Sequence, residues 1–283
     1  MDIKRAGVVG AGTMGNGIAH VFAMGGFNVV LMDVSEDFLG RAIGVITKNL
    51  DRMVKKEKIA EADKDGALKR ITTTTALKDL ADCDIVVEAA TEDYPIKKKI
   101  FQDLDSVCKQ GAILASNTSS ISITEIAANT RRADAVIGMH FMNPVPMMKL
   151  VEIVKGLATS EDTYQSVYGL SEKLGKTPVA VNDYPGFVSN RVLMPMINEA
   201  CWTLMQGVAT KEAIDTVMKL GMAHPMGPFE LADLIGLDVC LSIMEVLYNG
   251  FSDSKYRPCP LLRNMVKAGY LGRKTKRGFY NYE

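Results

Sequence analysis

The stretch Ala6-Gly7-Val8-Val9-Gly10-Ala11-Gly12-Thr13-Met14-Gly15 decides how the first part of this chain folds. An apolar segment precedes three glycines with the spacing Gly-x-Gly-x-x-Gly, and a helical pattern follows them. A strand, a glycine-rich turn and a helix in this order are typical of a βαβ unit that binds a dinucleotide. The phosphates of such a ligand lie at the N-terminus of the helix, where backbone N–H groups and a partial positive charge attract anions.

Each glycine of this turn has a predicted task. Gly10 permits the tight turn, Gly12 lets the pyrophosphate approach the backbone, and Gly15 brings the helix close to the sheet. Asp33 ends the second predicted strand, Asn28–Leu31, eighteen residues after Gly15. A carboxylate there accepts hydrogen bonds from the ribose hydroxyls of NAD and repels the 2′-phosphate of NADP. The sequence therefore favours NAD(H) as the cofactor.

Apolar segments alternate with helical patterns as far as residue 181. Short continuous apolar runs are typical of strands buried on both faces, and their alternation with helices predicts an α/β fold with a parallel, doubly wound, Rossmann-like sheet. The predicted strands are Ala6–Val9, Asn28–Leu31, Ile85–Glu88, Ala112–Ala115, Ala135–Met139, Val151–Val154 and Pro178–Val181.

The second and third predicted strands are separated by more residues than one crossover helix requires. Apolar residues at steps of three and four between Leu39 and Met53 predict an amphipathic helix. Asp63–Gly66 predicts a turn before a second short element. We therefore expect a helical hairpin inserted into the sheet domain.

Beyond Asp183 the strand-like runs disappear. Tyr184-Pro185-Gly186 breaks regular structure, and helical patterns separated by Gly and Pro follow. We expect a Rossmann domain over residues 1–184 and an all-α domain over residues 185–283. The predicted helices of the second domain are Asn190–Met205, Lys211–Lys219, Pro228–Tyr248 and Pro260–Ala268.

Composition narrows the possible partners. Lys plus Arg and Asp plus Glu number 33 each, so no global field indicates nucleic acid or an anionic membrane. The five cysteines are scattered and form no metal-ligand or disulfide pattern, so we predict no metal site. We find neither a leader peptide nor an apolar stretch long enough to span a bilayer, and we expect a cytoplasmic protein.

His140 is the one of three histidines that is placed for chemistry. His20 lies inside a predicted helix and His224 in a Gly/Pro-rich loop, where packing or loop roles are favoured. His140 instead ends a predicted strand, and the carboxyl ends of strands carry the ligand sites of open α/β sheets. Asn117–Ser120 follows another predicted strand and opens at the same edge, although such residues also favour turns and helix N-caps.

Glu152 interrupts an apolar run twelve residues after His140. A carboxylate buried there requires a partner. The intervening Asn143-Pro144-Val145-Pro146 is rigid enough to return the chain alongside itself, so that Glu152 accepts a hydrogen bond from His140 and fixes its tautomer. From position alone, a purely structural His–Glu pair explains the sequence equally well.

Seven segments in one order resemble the L-3-hydroxyacyl-CoA dehydrogenase family over essentially the whole chain, most closely its stand-alone bacterial members. The resemblance implies interconversion of (S)-3-hydroxyacyl-CoA and 3-oxoacyl-CoA with NAD(H), on the short substrates 3-hydroxybutyryl-CoA and acetoacetyl-CoA. The segments are Gly10–Gly15, Val87–Glu92, Ser116–Ser120, His140–Pro146, Pro185–Arg191, Gly227–Phe229 and Gly278–Tyr280.

The resemblance also implies roles for single residues. His140 is the catalytic acid/base with Glu152 as its partner, and Ser119 and Asn190 hold the substrate's 3-oxygen and help align the nicotinamide. Besides the three glycines of the turn, the residues implied around NAD are Asp33, Glu92, Lys97, Ser119, Asn143 and Lys274.

Two further implications concern coenzyme A and dimerisation. In the family the helical insertion contacts coenzyme A, and Lys56 is the matching position on it, although a solvated helix face explains the lysines there equally well. The family forms homodimers through the second domain, which also takes part in substrate binding. The apolar helices of that domain fit an ordinary core as well.

Other functions stay open at this point. The β-hydroxyacid dehydrogenases of small free acids combine the same two kinds of domain but use a catalytic lysine that opens the second domain, where this chain has Asn190-Arg191. The gulonate dehydrogenase/lambda-crystallin group acts on free acids and shares the His-Asn-Pro motif. A non-catalytic NAD-binding protein is the third alternative, and an intact His140–Glu152 pair argues against it.

Overall fold

The structure, a computed structural model, describes residues 3–283. The chain divides into two compact units, the first ending at Asp183 and the second running from Tyr184 to Glu283. The first is built around one sheet and the second is helical. The predicted fold class, a Rossmann-like sheet domain with a helical hairpin insertion followed by an all-α domain, is confirmed. Among the described residues, no helix combines the length and apolar character that crossing a bilayer requires.

Eight strands form the sheet of the first unit: β1 (Arg5–Val9), β2 (Asn28–Met32), β3 (Ile71–Thr74), β4 (Ile85–Glu88), β5 (Ile113–Ser116), β6 (Val136–Phe141), β7 (Leu150–Lys155) and β8 (Thr177–Asn182). Their spatial order is β3-β2-β1-β4-β5-β6-β7-β8. Neighbours are parallel except β6 and β7, which are antiparallel. The prediction of a wholly parallel sheet is wrong at this pair, because a short loop, residues 142–149, joins the two strands where a parallel pair needs a long crossover.

The helices of the first unit are α1 (Thr13–Met24), α2 (Glu36–Lys55), α3 (Glu61–Lys69), α4 (Tyr94–Val107), α5 (Ile123–Ala127) and α6 (Glu161–Lys173). The helical insertion consists of α2 and α3. The predicted turn at Asp63–Gly66 is wrong, because these residues lie inside α3 and the Asp63 carboxylate accepts the Ala60 N–H at its start, at 2.9 Å. Strand β3 escaped prediction because Thr72 and Thr73 are exposed, so no apolar run marks it.

The second unit contains α7 (Ser189–Met205), α8 (Lys211–Gly221), α9 (Pro228–Ile235), α10 (Leu237–Phe251) and α11 (Pro260–Lys267). The prediction of one helix over Pro228–Tyr248 is wrong. Gly236 interrupts it with a φ of +106°, a backbone conformation that glycine adopts readily and that a continuous helix excludes.

Two buried carboxylates fix the C-terminal segment to the second unit. Asp233 accepts the backbone N–H of Tyr280 and the hydroxyl of Tyr282, each at 2.9 Å. Asp215 accepts the Tyr280 hydroxyl at 2.9 Å and the Phe229 N–H at the start of α9, also at 2.9 Å. These contacts give the Gly278–Tyr280 motif a structural role, because unpaired carboxylates would be costly in the core.

The glycine-rich turn packs closely against its surroundings at two positions. Gly10 has a φ of +99°, and a Cβ there would lie 2.6 Å from the carbonyl oxygen of Ala89, just after β4. A Cβ at Gly15 would lie 1.7 Å from the carbonyl oxygen of Gly10. A Cβ at Gly12, in contrast, would meet no heavy atom within 4 Å. Side chains are thus excluded where the turn contacts the protein, and space is left where the backbone faces outward.

Gly15→Ala is expected to lower the midpoint of thermal unfolding, because the added methyl group overlaps the Gly10 carbonyl and overpacking costs about 1–3 kcal/mol. The matched control is Gly44→Ala on the exposed side of α2, where a Cβ meets nothing within 4 Å. There alanine is about 1 kcal/mol better than glycine in a helix and should raise the midpoint. Circular dichroism during heating measures both variants. Equal midpoints would contradict the packing account.

Candidate active site

The candidate site lies at the edge of the sheet where β1, β4, β5 and β6 end, since these strands are mutually parallel. Three groups of residues meet this edge. They are the glycine-rich turn with Asp33, a cluster of charged and hydroxyl side chains after β4 and β5, and the pair His140–Glu152 on β6 and β7.

His140 and Glu152 lie directly opposite each other in the antiparallel register of β6 and β7. The His140 Nδ1 and the Glu152 Oε2 are 2.8 Å apart. Both side chains are buried, with 8% and 3% of their surface exposed. The structure therefore brings together the two residues that the sequence paired, and it does so within one hairpin. Strand β6 runs two residues further than predicted, so that His140 is its penultimate residue.

Asn117 connects the end of β5 to the end of β6. Its Oδ1 accepts the Phe141 N–H at 2.9 Å, and its own N–H donates to the Glu88 carbonyl at 2.7 Å. The Asn117 amide oxygen, which we predicted to orient a ligand, thus instead holds Phe141, the residue next to His140. Asn143 follows in the exposed part of the β6–β7 loop, where a cis peptide bond joins it to Pro144.

A buried ion pair lies between β4 and α4. The Lys97 ammonium contacts the Glu88 carboxylate at 2.7 and 2.9 Å, and at most 1% of either residue is exposed. Glu88 also accepts the Ala90 N–H and the Ser116 hydroxyl, both at 2.7 Å. Buried charges persist only when they are paired and hydrogen-bonded, as these are. Sequence reasoning assigned Glu88 no role, although a carboxylate that ends an apolar strand is the same signal that identified Glu152.

Glu92 holds the loop that carries Ser119. Its Oε1 accepts the Thr118 hydroxyl at 2.6 Å, the Ser119 N–H at 2.9 Å and the Ser120 N–H at 3.1 Å. Lys97 lies 3.4 Å from the other carboxylate oxygen. Burial raises the pKa of Glu92, but the Lys97 ammonium and the hydrogen bonds from Thr118, Ser119 and Ser120 together outweigh it and hold that pKa below its usual range. Glu92 is therefore ionised at neutral pH.

Asp33 fastens the glycine-rich turn to β2. Its Oδ2 accepts the Ala11 N–H at 2.7 Å and its Oδ1 accepts the Ser35 N–H at 3.2 Å. Gly12 precedes α1, and within residues 3–283 no side chain caps the helix at this point and no acidic residue occupies its first turn. Free helix N–H groups beside open space suit the phosphates of a dinucleotide. The residues present therefore fit the cofactor that the sequence predicts.

Two predicted site residues, Asn190 and Lys274, lie in the second unit. Asn190 is half-buried in the first turn of α7. The Lys274 ammonium pairs with the Asp238 carboxylate at 2.5 Å, in the first turn of α10. Their roles beside His140 and NAD stay predictions. Lys56, the residue predicted to contact coenzyme A, is exposed directly after α2.

The other two histidines have structural surroundings. His20 is buried in α1, and burial together with the nearby Lys176 ammonium lowers its pKa to about 4. The His224 N–H donates to the Met218 carbonyl at 3.2 Å after α8. Within the described part of the chain, no group of three or more His, Cys, Asp or Glu side chains is placed to hold a metal ion.

Comparison with known proteins gives matches over both units. The family model "3-hydroxyacyl-CoA dehydrogenase, NAD binding domain" matches residues 5–184, and "3-hydroxyacyl-CoA dehydrogenase, C-terminal domain" matches residues 186–282. A 3-hydroxybutyryl-CoA dehydrogenase of Bradyrhizobium diazoefficiens is 57% identical over 99% of this chain and 96% of its own. The enzyme of that name from Clostridioides difficile is 52% identical over 98% of this chain and 99% of its own.

Solved structures extend the comparison to three dimensions. The crystal structure of an (S)-3-hydroxybutyryl-CoA dehydrogenase from Ralstonia eutropha matches with a TM-score of 0.98 and 55% identity, covering 100% of both chains. The likeness therefore includes the sheet, the helical insertion and the second unit.

Glu92→Gln is expected to remove a pH-dependent share of the stability. The pKa of Glu92 is lower in the folded chain than in the unfolded chain, where the pKa of a glutamate is about 4.3. Its contribution is thus fully present above about pH 4.3 and is lost as the pH falls through the folded value. The difference in thermal midpoint between wild type and variant, measured from neutral pH into acid, should be constant at first and then shrink.

The control for this series is Glu172→Gln on the exposed side of α6, since substitutions at such positions change stability by only about 0.5 kcal/mol. A Glu92→Gln difference that grows in acid would contradict the assignment of a lowered pKa.

Proposed function

Because the chain belongs to the 3-hydroxyacyl-CoA dehydrogenase family over both of its units, we propose that it interconverts 3-hydroxybutyryl-CoA and acetoacetyl-CoA, with NAD(H) as its cofactor. The predicted family, the NAD-dependent dehydrogenase class and the cofactor are confirmed by these matches. The observation that carries the proposal is the buried His140–Glu152 pair, which lies at the same sheet edge as the glycine-rich turn.

The proposed chemistry assigns proton transfer to His140. When bound, NAD(H) would supply the hydride chemistry at C3 of the substrate, as acceptor in one direction and as donor in the other. An ionised Glu152 carboxylate only accepts hydrogen bonds, so Nδ1 carries the hydrogen of the contact at 2.8 Å. Nε2 is then the ring atom that takes the proton of the 3-hydroxyl group, and Glu152 stabilises the imidazolium that results.

The proposed cofactor site uses the glycine-rich turn and the end of β2. Gly10, Gly12 and Gly15 let the pyrophosphate reach the N-terminus of α1, and Asp33 receives the adenosine ribose. Asp33 also fastens the turn through the Ala11 N–H, which favours one orientation of its carboxylate.

The remaining proposed contacts surround the reacting carbon. Ser119 holds the 3-oxygen and the nicotinamide from a loop that Glu92 keeps in place. Asn190 is proposed to act with it from the second unit. Lys97 is fully engaged with Glu88 and Glu92, which supports a role through Glu92 at the cofactor site. Asn143 and Lys274 complete the proposed set around NAD.

Coenzyme A is assigned to the basic side of the helical insertion. The chain has no net charge, so an attraction for the phosphates of coenzyme A has to come from a local group of cations. Lys56 is the proposed contact, and four further basic residues are exposed in the same segment, where Asp51 and Glu57 are exposed as well. The four basic residues are Lys48, Arg52, Lys55 and Lys58.

We also propose that the chain forms a homodimer through its second unit. The support is a set of apolar side chains that are exposed in the single chain and that an interface would remove from water. They are Val192, Val208, Val217, Leu220 and Met222. The cytoplasmic location stays a prediction from the sequence.

The proposal is tested by following NADH oxidation with acetoacetyl-CoA and with free acetoacetate. We expect turnover of the thioester and at least about tenfold lower kcat/KM for the free acid, because the binding energy of coenzyme A contributes to the transition state. Equal rates would identify a free-acid dehydrogenase of the gulonate dehydrogenase type. Binding of NADH without turnover of either compound would identify a non-catalytic protein.

His140→Ala is expected to lower kcat by about 10²–10⁴-fold, the usual contribution of a positioned acid/base, while the Kd of NADH changes little. Glu152→Gln should give a smaller loss and a displaced pH profile of kcat, because the amide no longer stabilises the imidazolium. His224→Gln is the matched control, since this histidine lies in a loop of the second unit. Steady-state kinetics over a range of pH measure all three variants. Near-normal turnover by His140→Ala would exclude the proposed role.

A further inference from the structure

A lysine outside the site described above contacts the loop that joins His140 to Glu152. Lys176 precedes β8 and is half-buried. Its ammonium donates to the carbonyl oxygen of Val145 at 2.5 Å and to that of Met148 at 2.8 Å. One cation therefore holds two points of a loop that is only eight residues long, residues 142–149.

The same loop is held from a second direction by α1. Val145 is buried, and a Cβ at Gly17 would lie 2.8 Å from the Cβ of Val145. The helix thus approaches the loop as closely as a glycine permits. Since α1 begins at the glycine-rich turn, the loop between the two catalytic strands and the proposed cofactor site share one rigid support.

Inside the loop, the backbone forms a turn that depends on these contacts. The N–H groups of Met147 and Met148 both donate to the Pro144 carbonyl at 3.0 Å. The carbonyls of Val145 and Met148 instead accept hydrogen bonds from the Lys176 ammonium. The N–H groups of the turn are therefore paired within the loop, and these two carbonyls are paired with the lysine. Hydrogen bonds from a charged donor are stronger than those between neutral groups, and a neutral apolar side chain at position 176 would leave these carbonyls without that donor.

We propose that Lys176 is a positioning residue of the dehydrogenase. By holding the Val145 and Met148 carbonyls, it fixes the path of the loop between β6 and β7. The loop in turn fixes the register in which His140 faces Glu152, and it places Asn143, which lies three residues after His140, at the edge of the sheet. The inference rests on the proposed function, because its consequence for catalysis runs through His140, Glu152 and Asn143.

The test compares Lys176→Met with Lys173→Met. Lys173 is the last residue of α6, is exposed and lies close to Lys176 in the chain, so the pair separates the loop contact from a general loss of positive charge. We expect Lys176→Met to lower kcat for acetoacetyl-CoA reduction by about 10–100-fold, since small displacements of catalytic groups have effects of this size. Lys173→Met should stay within about twofold of wild type, as exposed substitutions usually do.

Two further readouts distinguish positioning from general stability. Hydrogen exchange at the Met147 and Met148 amides should speed up in Lys176→Met, while the amides of β6 and β7 stay protected. Lys176→Arg, which keeps a charged donor, should recover most of the lost kcat. If Lys176→Met does not fold, Lys176→Arg carries the test alone. It should then fold, turn over substrate and keep the loop amides protected.

The inference is overturned if Lys176→Met retains wild-type kcat, if Lys173→Met loses as much, or if exchange at Met147 and Met148 is unchanged. It is also overturned if Lys176→Arg folds but loses both turnover and loop protection. Failure of the proposed function has a different signature. In that case the wild-type protein does not reduce acetoacetyl-CoA, whereas the exchange experiment still reports whether Lys176 holds the loop.

Discussion

The antiparallel pairing of β6 with β7 is the constraint on which the proposed chemistry depends. Every other pair of neighbouring strands is parallel, and parallel neighbours need longer connections than the eight-residue loop between β6 and β7. The hairpin places the imidazole and the carboxylate opposite each other inside the sheet, where an unpaired charge would be costly. A shift of the register by one residue would turn Glu152 to the other face and abolish the pair. The register that packs the sheet is therefore the same register that orients His140 toward Glu152.

A second set of buried charges organises the neighbouring edge of the sheet. Glu88 and Lys97 are both removed from water, and desolvating two ions is expensive enough that such pairs contribute little net stability. The role of this pair is to hold neighbouring segments in fixed positions. Through Glu92, the lysine connects the end of β4 to the backbone of the Ser119 loop, so that several loops at this edge are fixed to one another.

Attraction for anionic ligands has to come from local groups in this chain. The formal net charge is zero, so the proposed attraction for the phosphates of a dinucleotide or of coenzyme A has to come from particular groups. The N-terminus of α1 supplies uncapped N–H groups, and α2 with the residues directly after it supplies exposed lysines such as Lys56. In the proposed cofactor site, Asp33 would add a negative charge at the ribose and so disfavour a second phosphate there.

Features that depend on short spacings could be predicted from the amino-acid sequence. The glycine-rich turn, the acidic residue after β2 and a carboxylate within an apolar strand can be read locally, because strand, turn and helix follow one another without interruption. The family could also be identified from the sequence, because its motifs are short segments in a fixed order. The pairing of His140 with Glu152 could also be predicted, since the two residues lie only twelve positions apart. Contacts between distant segments follow only from the folded structure. They include the hydrogen bonds of Glu92 with Thr118, Ser119 and Ser120, which lie 26 to 28 residues away, and those of Lys176 with carbonyls that lie 31 and 28 residues away. No periodicity records such contacts, because they depend on how separate elements pack and on which side chains their packing removes from water.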